Sequence, residues 1–409
     1  MIATDIRTVM REGKAVLSAS VCSEKQPGAP FVLEWVFPEA EADWLTATGD
    51  PVLPALLLPA MRLGEDLVID APVSRRLLAS VPTIMDIYAA WVPGLRRPTI
   101  TAKDADEPRR GKGVGLFFSC GVDSFYSLRK ALAVPPGHDD AVSHLILIYG
   151  FDIRPRNPAL FDLVAGHARS VAAAAHRKLV IVETNLRTFA DPLVGWDFYH
   201  GGALASIALA LGGLQRKCFI PSTHAYGELV PWGSHPLLDP LWSTDSVDLV
   251  HDGCEALRTE KIKELASFDL ALQHLRVCWP DWIQDYNCGR CEKCLRTMIG
   301  LHVAGALERA ATFPRRLDLQ AIRDVQLITG ESSVRFMEDL LAALGPSPEG
   351  RPIARAIRHA VWKNRFRAQV AGVLDRTPGA RATLAALRGK TPPAASAALA
   401  DSGALRGGS

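Results

Sequence analysis

The sequence predicts an α/β protein with a three-layer, parallel-sheet core, a small α+β domain before it and a helical region after it. From Gly113 onward, short and continuously apolar segments alternate with helical ones, which is typical of a parallel sheet covered on both faces. Residues 101–113 (TAKDADEPRRGKG) have no apolar period, so they place a domain boundary near residue 108. Helical patterns return after residue 300, which predicts the helical region there.

Residues 1–108 mix strand-like and helical patterns, so we predict a small N-terminal α+β domain there. Its predicted strands are AVLSASVC, FVLEWVFP and EDLVID, and its predicted helix is RRLLASVPTIMDIYAAW. Nothing in this region suggests a reaction.

Residues 109–300 form the predicted core domain, in which parallel strands bring their carboxyl ends to one ligand-binding edge. Its strand segments are VGLFFS, SHLILIYGF, KLVIVET and KCFIPS. Its helical segments are SFYSLRKALA, NPALFDLVAGHARSVAAAAH and GGALASIALALGGLQ. Residues 224–253 are rich in Pro, Gly, Trp and His without a clean period, which predicts a long functional loop. We assign residues 301–388 to a helical region and 389–409 to a disordered tail.

The overall charge excludes a general attraction to nucleic acid. Lys and Arg number 46 against 44 Asp and Glu, for a formal charge of +2. Basic residues within 351–388 favour a solvated helical face, with RNA contact as the alternative: Arg355, Arg358, Lys363, Arg365 and Arg367. No apolar run approaches the roughly 20 residues that a spanning helix requires, and the first residues do not resemble a signal peptide. We expect a cytoplasmic protein with no membrane partner, and the sequence leaves a homo-oligomer open.

A short polar turn joins the first core strand to the next helix. It reads Ser119-Cys120-Gly121-Val122-Asp123-Ser124. At such a junction unpaired backbone N–H groups and the positive end of the helix dipole converge, which favours phosphate binding. The serines add hydroxyl donors, and the aspartate can orient the turn or a magnesium ion. A plain N-cap and turn is the alternative explanation.

Four of the eight cysteines lie close together as Cys278-x₉-Cys288-x-x-Cys291-x-x-Cys294. This spacing allows four thiolates to surround one ion, so we predict a structural zinc site, with Gly289 permitting the tight turn between ligands. An iron–sulfur cluster and unrelated buried cysteines are the alternatives.

The turn at 119–124 resembles the SGGxDS pyrophosphate-binding loop of the N-type ATP pyrophosphatases, the adenine nucleotide alpha hydrolase or PP-loop superfamily. With the cysteine cluster downstream, residues 113–300 look like the 7-cyano-7-deazaguanine synthase family. The sequence departs from that family in three places. Cys120 replaces the first glycine, Tyr149-Gly150-Phe151 lacks the family's glutamine, and YHGGALAS stands where an Arg-Asn pair is expected. The segment 224–243 is not recognisably the family's substrate loop.

The resemblance implies an ATP- and magnesium-dependent ligase or synthase with a structural zinc. A carboxylate or carbonyl oxygen of a small substrate would be adenylated, pyrophosphate would leave, and a nitrogen nucleophile such as ammonia would displace AMP. The implied ATP-binding residues are Ser119, Cys120, Gly121, Val122, Asp123 and Ser124. Asp152 is a further candidate for nucleotide contact because it lies just past the second core strand, and a plain turn residue is the alternative. The implied catalytic residues are Asp123 and, from the basic segment RTEKIKELA, Arg258 or Lys261. One alternative is a PP-loop sulfur transferase acting on tRNA or a small molecule through Cys120 or Cys218. Another is a nucleotide-binding zinc scaffold without catalysis.

A few further polar residues are weaker candidates for ligand contact. Thr184 and Asn185 follow the third core strand, and His200 begins a helix. A group in the long loop lines a pocket or packs beneath a cover: His224, Tyr226, Glu228, Trp232, His235 and Asp239.

Overall fold

The computed structural model describes residues 1–105, 111–280, 283–327 and 331–376. It confirms the predicted α/β class, because these residues form one large, mostly parallel sheet surrounded by helices. The predicted boundary at residue 108, the end of the helical region after residue 376 and the predicted tail at 389–409 lie outside the described residues.

Ten strands of the described chain form one sheet in the order β10-β9-β6-β7-β8-β3-β2-β1-β4-β5. They are β1 (Ile2–Arg11), β2 (Lys14–Cys22), β3 (Phe31–Pro38), β4 (Leu67–Val73), β5 (Ile100–Asp104), β6 (Gly113–Phe117), β7 (His144–Tyr149), β8 (Lys178–Thr184), β9 (Gln215–Pro221) and β10 (Asp248–Asp252). The first five in spatial order, β10 to β8, are mutually parallel.

Twelve α-helices occur in the described residues. They are α1 (Val52–Leu63), α2 (Arg75–Trp91), α3 (Val122–Leu132), α4 (Pro158–Ala174), α5 (Leu186–Ala190), α6 (Trp196–Ala210), α7 (Arg258–Leu265), α8 (Asp269–His274), α9 (Glu292–Val303), α10 (Leu319–Asp324), α11 (Glu331–Leu344) and α12 (Gly350–Arg376). In this part of the chain, none is both long and apolar enough to cross a bilayer.

The parallel half of the sheet buries apolar side chains on both of its faces. Along β6, Leu116 belongs to one buried cluster, which includes residues of α3, α4 and α9. Its neighbour Phe117 belongs to another, which includes residues of α1 and α6. Side chains of successive strand residues point to opposite faces, so a strand buried on both faces must be apolar throughout. This explains why β6 to β8 were visible in the sequence.

The sheet continues from the parallel strands into the strands of the first hundred residues. β3 pairs antiparallel with β8, with Trp35 opposite Thr184. The indole of Trp35 is fully buried and donates a hydrogen bond to Ser206 of α6 at 2.9 Å. One buried cluster contains residues of both segments. Residues 1–105 and the parallel strands therefore share a sheet and a core.

Seven strands and α-helices of the described chain had no prediction: β1, α1, β5, α5, α7, α8 and β10. The prediction of a loop throughout 224–253 was wrong at its end, because β10 (Asp248–Asp252) lies there as the edge strand beside β9. Three of the five residues of β10 are polar, and the preceding chain is rich in Pro and Gly, so no apolar run marks the strand. Backbone pairing with β9, rather than an apolar sequence, therefore defines β10 as a strand.

Candidate functional site

The turn at 119–124 lies at the carboxyl end of β6 and leads into α3, as the sequence predicted. The N–H of Phe125 closes the first helical turn on the Gly121 carbonyl at 2.9 Å, and the Ser124 hydroxyl donates to the same oxygen at 3.0 Å. A Cβ built on Gly121 would lie 3.2 Å from Ser119 Oγ and 4.0 Å from Ser124 Oγ. The Arg276 carbonyl lies 3.8 Å from the same position, so two hydroxyls and one carbonyl border Gly121 at a helix N-terminus, the end of a helix that favours anions.

Cys120, the residue that departs from the family pattern, adopts φ = +61°. That left-handed conformation favours glycine, because a Cβ there crowds the following carbonyl at a cost of about 1–2 kcal/mol. Its side chain is fully buried, and burial raises the pKa of the thiol to about 12. Cys120 is therefore neutral at pH 7, and its backbone keeps the shape that a glycine would give the loop.

Asp123, in the first turn of α3, is held by two cations from α7. Arg258 Nη2 lies 2.9 Å from one carboxylate oxygen, and Lys261 Nζ lies 3.2 Å from the other. Lys261 also donates to the Ser222 carbonyl, just beyond β9, at 2.7 Å. Burial disfavours the charged carboxylate, but Arg258 and Lys261 outweigh it and hold the pKa of Asp123 below its usual range. The structure thus brings the three predicted catalytic residues together.

Two further buried arginines lie near the turn: Arg296 acts on the charge of Asp123, and Arg276 on the Cys120 thiol. Arg296 of α9 is 8% exposed at its side chain and pairs with Glu292 at 3.2 Å. Burial and the charge of Arg258 lower the pKa of Arg296 to about 10. Arg276 is 6% exposed and donates its backbone N–H to the Cys120 carbonyl at 2.8 Å. Among the described residues its guanidinium has neither a hydrogen bond nor an ion pair, and Nε is fully buried without a partner.

Two aromatic rings, Phe336 of α11 and His224 beyond β9, border one side of the site. The ring of Phe336, on α11, lies 4.5 Å from the Arg296 guanidinium and 5.7 Å from that of Arg258. His224 stacks on the same ring, with centroids 6.1 Å apart. Burial, with the charge of Arg258, lowers the pKa of His224 to about 4. A neutral imidazole and a phenyl ring therefore border the cations and limit their contact with water.

Four other candidate residues, Asp152, Thr184, Asn185 and His200, make no hydrogen bond or ion pair to the cations described above among the described residues. Asp152 is exposed beyond β7, and within the described chain it makes no hydrogen bond or ion pair to the 119–124 turn. Thr184 and Asn185 bond the backbone of β3 through their side chains and so connect the two halves of the sheet. His200 bonds the Trp196 carbonyl through Nδ1 and accepts from Ser234 N–H through Nε2. These three residues hold the fold together.

The four clustered cysteines have the geometry of a metal site. Their sulfur atoms all lie within 4.8 Å of one another, including Cys288–Cys294 at 3.9 Å and Cys278–Cys291 at 4.0 Å. A tetrahedral zinc with Zn–S bonds of about 2.3 Å separates its sulfurs by about 3.8 Å. Contacts with the other three sulfurs raise the pKa of the Cys294 thiol, so four thiolates at this spacing need a cation. The cluster can therefore hold a metal such as zinc.

Local backbone geometry supports the metal cluster. Gly289 adopts φ = +67°, and a Cβ there would lie 2.8 Å from Pro314, so the turn between the first two C-x-x-C ligands needs glycine. The N–H groups of Arg290 and Cys291 point to Cys288 Sγ at 3.5 and 3.2 Å. Such bonds stabilise a thiolate.

Three contributors were missed by the sequence analysis: Arg276, Arg296 and Phe336. The two arginines had a local signal, because each lies two residues outside a metal ligand, before Cys278 and after Cys294. The chain therefore keeps both arginines within two residues of the cysteine cluster. Phe336 had no such signal, since it reaches the site only through the packing of α11.

No protein-family model, curated protein or solved structure matches this chain significantly.

Proposed function

We propose that the protein is an ATP-dependent, AMP- and pyrophosphate-forming ligase that adenylates a carboxylate or carbonyl substrate for attack by a nitrogen nucleophile. The proposal carries forward the PP-loop resemblance of residues 119–124 and the similarity to 7-cyano-7-deazaguanine synthases. ATP and magnesium are the small molecules it requires, together with an ammonia donor.

The observation that carries the proposal is an excess of buried positive charge beside the turn. Arg258, Lys261, Arg276 and Arg296 are each at most 10% exposed at the side chain or as whole residues. Asp123 pairs with Arg258 and Lys261, and Glu292 pairs with Arg296, whereas Arg276 has no ion pair among the described residues. Buried charges without partners are costly, so a protein retains them where a ligand supplies the opposite charge. A triphosphate is such a ligand.

Each group has a role in this scheme. The backbone at Gly121 and the N-terminus of α3 would receive the β- and γ-phosphates. A substrate oxygen attacks the α-phosphorus, the bond between the α-phosphorus and the bridging oxygen breaks, and pyrophosphate leaves with the electron pair. Arg258 and Lys261 stabilise the charge that develops on pyrophosphate. Asp123 holds both cations in position and compensates their charge before the nucleotide binds.

Two features of the fold are consistent with this function. The turn lies at the carboxyl end of β6, with β9 and β7 on either side, where ligands bind in parallel sheets. Packing on both faces of β6 agrees with a three-layer core. The metal would be structural, because four protein sulfurs leave no open position for a reactant.

The sulfur-transferase alternative requires a reactive thiol, and its two named candidates are poorly suited. Cys120 and Cys218 are both fully buried, and burial raises the pKa of each thiol. A thiolate is the reactive form of cysteine, so neither residue is activated. Nitrogen transfer is therefore the preferred reaction.

The test uses the full chain loaded with metal. Isotope exchange between ATP and pyrophosphate is measured with magnesium and a panel of small carboxylates, and AMP formation is then measured after adding ammonium chloride. We expect exchange with at least one carboxylate. Tight binding of α,β-methylene-ATP without exchange for any of them would favour the non-catalytic scaffold. Absence of nucleotide binding would overturn the proposal.

A matched pair of variants tests the role of α7. Lys261→Met removes a buried ammonium from Asp123, whereas Lys263→Met removes an exposed one two residues away. A hydrogen bond to a charged group contributes about 1.5–3 kcal/mol, so Lys261→Met should weaken α,β-methylene-ATP binding by roughly 10- to 100-fold. Lys263→Met should bind like the parent. Thermal unfolding of both variants checks that each is folded, and equal binding by the two would contradict the assignment.

A further inference from the structure

Positive charge is concentrated in the C-terminal part of the chain, which takes no part in the scheme above. Residues 351–409 contain 11 Lys and Arg against 2 Asp, whereas residues 1–350 contain 35 Lys and Arg against 42 Asp and Glu. The formal total of +2 therefore combines +9 after residue 350 with −7 before it. Such an asymmetry indicates local attraction to a polyanion, although the whole chain is nearly neutral.

The first half of α12 packs on the fold, and its second half is largely open to solvent. Ile357 and Ala360 are fully buried in a cluster that also contains residues of α9, α10 and α11. The Asn364 side chain donates to the Val325 carbonyl at 2.9 Å, just beyond α10. Residues 365–371 are all exposed. This half of the helix therefore presents its side chains to whatever the protein meets.

A row of aromatic rings lies on the exposed face of α12. Trp362 is 61% exposed and Phe366 is 54% exposed. Their rings stack with centroids 5.8 Å apart and planes 15° apart, and the His359 ring lies 5.9 Å from that of Trp362. Spacings of three and four residues place the three rings side by side on one helix face. Exposed apolar groups in a contiguous patch mark an interaction surface.

Arginines without partners flank these rings. Arg355, Arg358 and Arg367 are exposed, and in the ranges that the structure describes none of them has an ion pair or a hydrogen bond. Arg365, by contrast, pairs with Glu338 of α11 at 2.9 Å. Three guanidinium groups are therefore available for anions, and arginine binds phosphate through paired N–H donors.

A groove runs beside the rings, between α11 and α12. Its volume is about 440 Å³, and its lining includes Leu341, Trp362, Phe366 and Arg358. Pockets for small ligands are commonly about 300–1,000 Å³. The groove therefore offers an apolar surface and a cation to a flat group that carries a negative charge at one end.

We infer that the exposed half of α12 is a docking surface for an unpaired segment of RNA, whose bases stack on Trp362 and Phe366 while its phosphates pair with the flanking arginines. Stacking on aromatic rings and pairing of phosphates with cations are the contacts that a single strand offers. RNA commonly presents unpaired bases in loops, bulges and ends. The inference does not depend on the proposed ATP-dependent reaction.

Two other occupants fit this surface less well. A second copy of the chain on a twofold axis would bring the same arginines face to face, and like charges across an interface repel. A membrane surface favours a broad apolar helix face with the charges on the other side. Arg355 and Arg358 precede Trp362 by seven and four residues, so they lie on the same face as the rings.

The test measures the fluorescence anisotropy of labelled oligouridine titrated with the full metal-loaded chain. Trp362→Leu keeps apolar bulk without a π face, whereas Trp362→Phe keeps a π face. We expect Trp362→Leu to raise the Kd by roughly 5- to 100-fold, as for loss of one stacked base, and Trp362→Phe to stay within about threefold of the parent. Thermal unfolding checks that both variants are folded. Equal binding by the parent and Trp362→Leu, or no binding by the parent, would overturn the inference.

Salt dependence tests the arginines. For a single strand, each phosphate contact contributes about 0.7 to the slope of log Kd against log salt concentration. Arg358→Gln and Arg367→Gln should each reduce the slope by about that amount, whereas Arg169→Gln, which removes an exposed arginine of α4, should leave it unchanged. A slope that neither α12 variant changes contradicts the phosphate contacts.

The other occupants give different results. Binding to phosphatidylserine vesicles that Trp362→Leu abolishes, without binding of oligouridine, would assign the surface to a membrane. A dimer in light scattering that Trp362→Leu dissociates would assign it to a second copy. Tighter binding of oligodeoxythymidine than of oligouridine would refute RNA as the partner. Each of these three results contradicts the inference, and exchange between ATP and pyrophosphate should be the same in Trp362→Leu as in the parent.

Discussion

Arg276→Met should stabilise the free protein and weaken nucleotide binding, two effects of opposite sign. Arg276 is 6% exposed as a residue, and its buried Nε has no hydrogen-bond partner. A buried donor left unsatisfied costs about 1–3 kcal/mol. Methionine fills similar space without that cost, and the backbone bond from residue 276 to Cys120 remains. We expect the free energy of unfolding to rise by about 1–2 kcal/mol.

Arg296→Met is the matched control, because it removes the same side chain at similar burial from a residue that does have a partner. Arg296 pairs with Glu292, whose side chain is 5% exposed. Breaking this buried ion pair should lower the free energy of unfolding by about 3 kcal/mol, the lower end for such pairs. The two arginine variants should therefore differ in sign.

Urea unfolding followed by circular dichroism measures the stability of both variants and the parent, and calorimetric titration with α,β-methylene-ATP measures binding. We expect Arg276→Met to bind roughly 10- to 100-fold more weakly, as for loss of a charged hydrogen bond. The assignment of Arg276 as a nucleotide-binding cation is wrong if Arg276→Met is destabilised as much as Arg296→Met. It also fails if nucleotide affinity is unchanged.

Three more outcomes are expected. His251 Nδ1 lies 2.6 Å from the buried carboxylate of Asp239; burial disfavours the imidazolium, but the bond to Asp239 outweighs it and raises the pKa of His251 from 6.5 to about 9. Its stabilising contribution is therefore complete below pH 6.5 and disappears as the pH rises through 9. The stability difference between the parent and His251→Asn should fall by about 3 kcal/mol over that window, and a constant difference would contradict the assigned charge. Asp123 has a lowered pKa, so its stabilising contribution is present above pH 3.8, its ordinary pKa, and is lost in acid. Asp123→Asn should be about 3 kcal/mol less stable than the parent at pH 7. Unfolding measured at a series of pH values should show this difference shrinking below pH 3.8. Metal analysis should find about one zinc per chain, and visible absorbance from iron would refute zinc. Cys294→Ser should reduce zinc content. It should also reduce nucleotide affinity, because Arg276 lies two residues from Cys278, another cysteine of the cluster.

The sequence alone determined the features that are local in the chain. The turn at 119–124 and the steps between Cys288, Cys291 and Cys294 are short enough that residue type and spacing nearly dictate geometry. The strands β6 to β8 were equally legible, because burial on both faces requires continuous apolar runs. For Cys120, the sequence showed that a cysteine replaces glycine, but only the structure showed its left-handed φ.

Tertiary structure alone decided which distant residues meet. Asp123 and Lys261 are 138 residues apart, and Arg276 and Phe336 come from still other segments. Such meetings depend on the crossing of helices over the sheet, which no short-range spacing encodes. β10 shows the same limit, because its polar sequence forms a strand only where β9 offers a pairing edge. Residue type and short spacing thus determined the 119–124 turn and the cysteine cluster, whereas long-range packing brought the charged side chains to the turn.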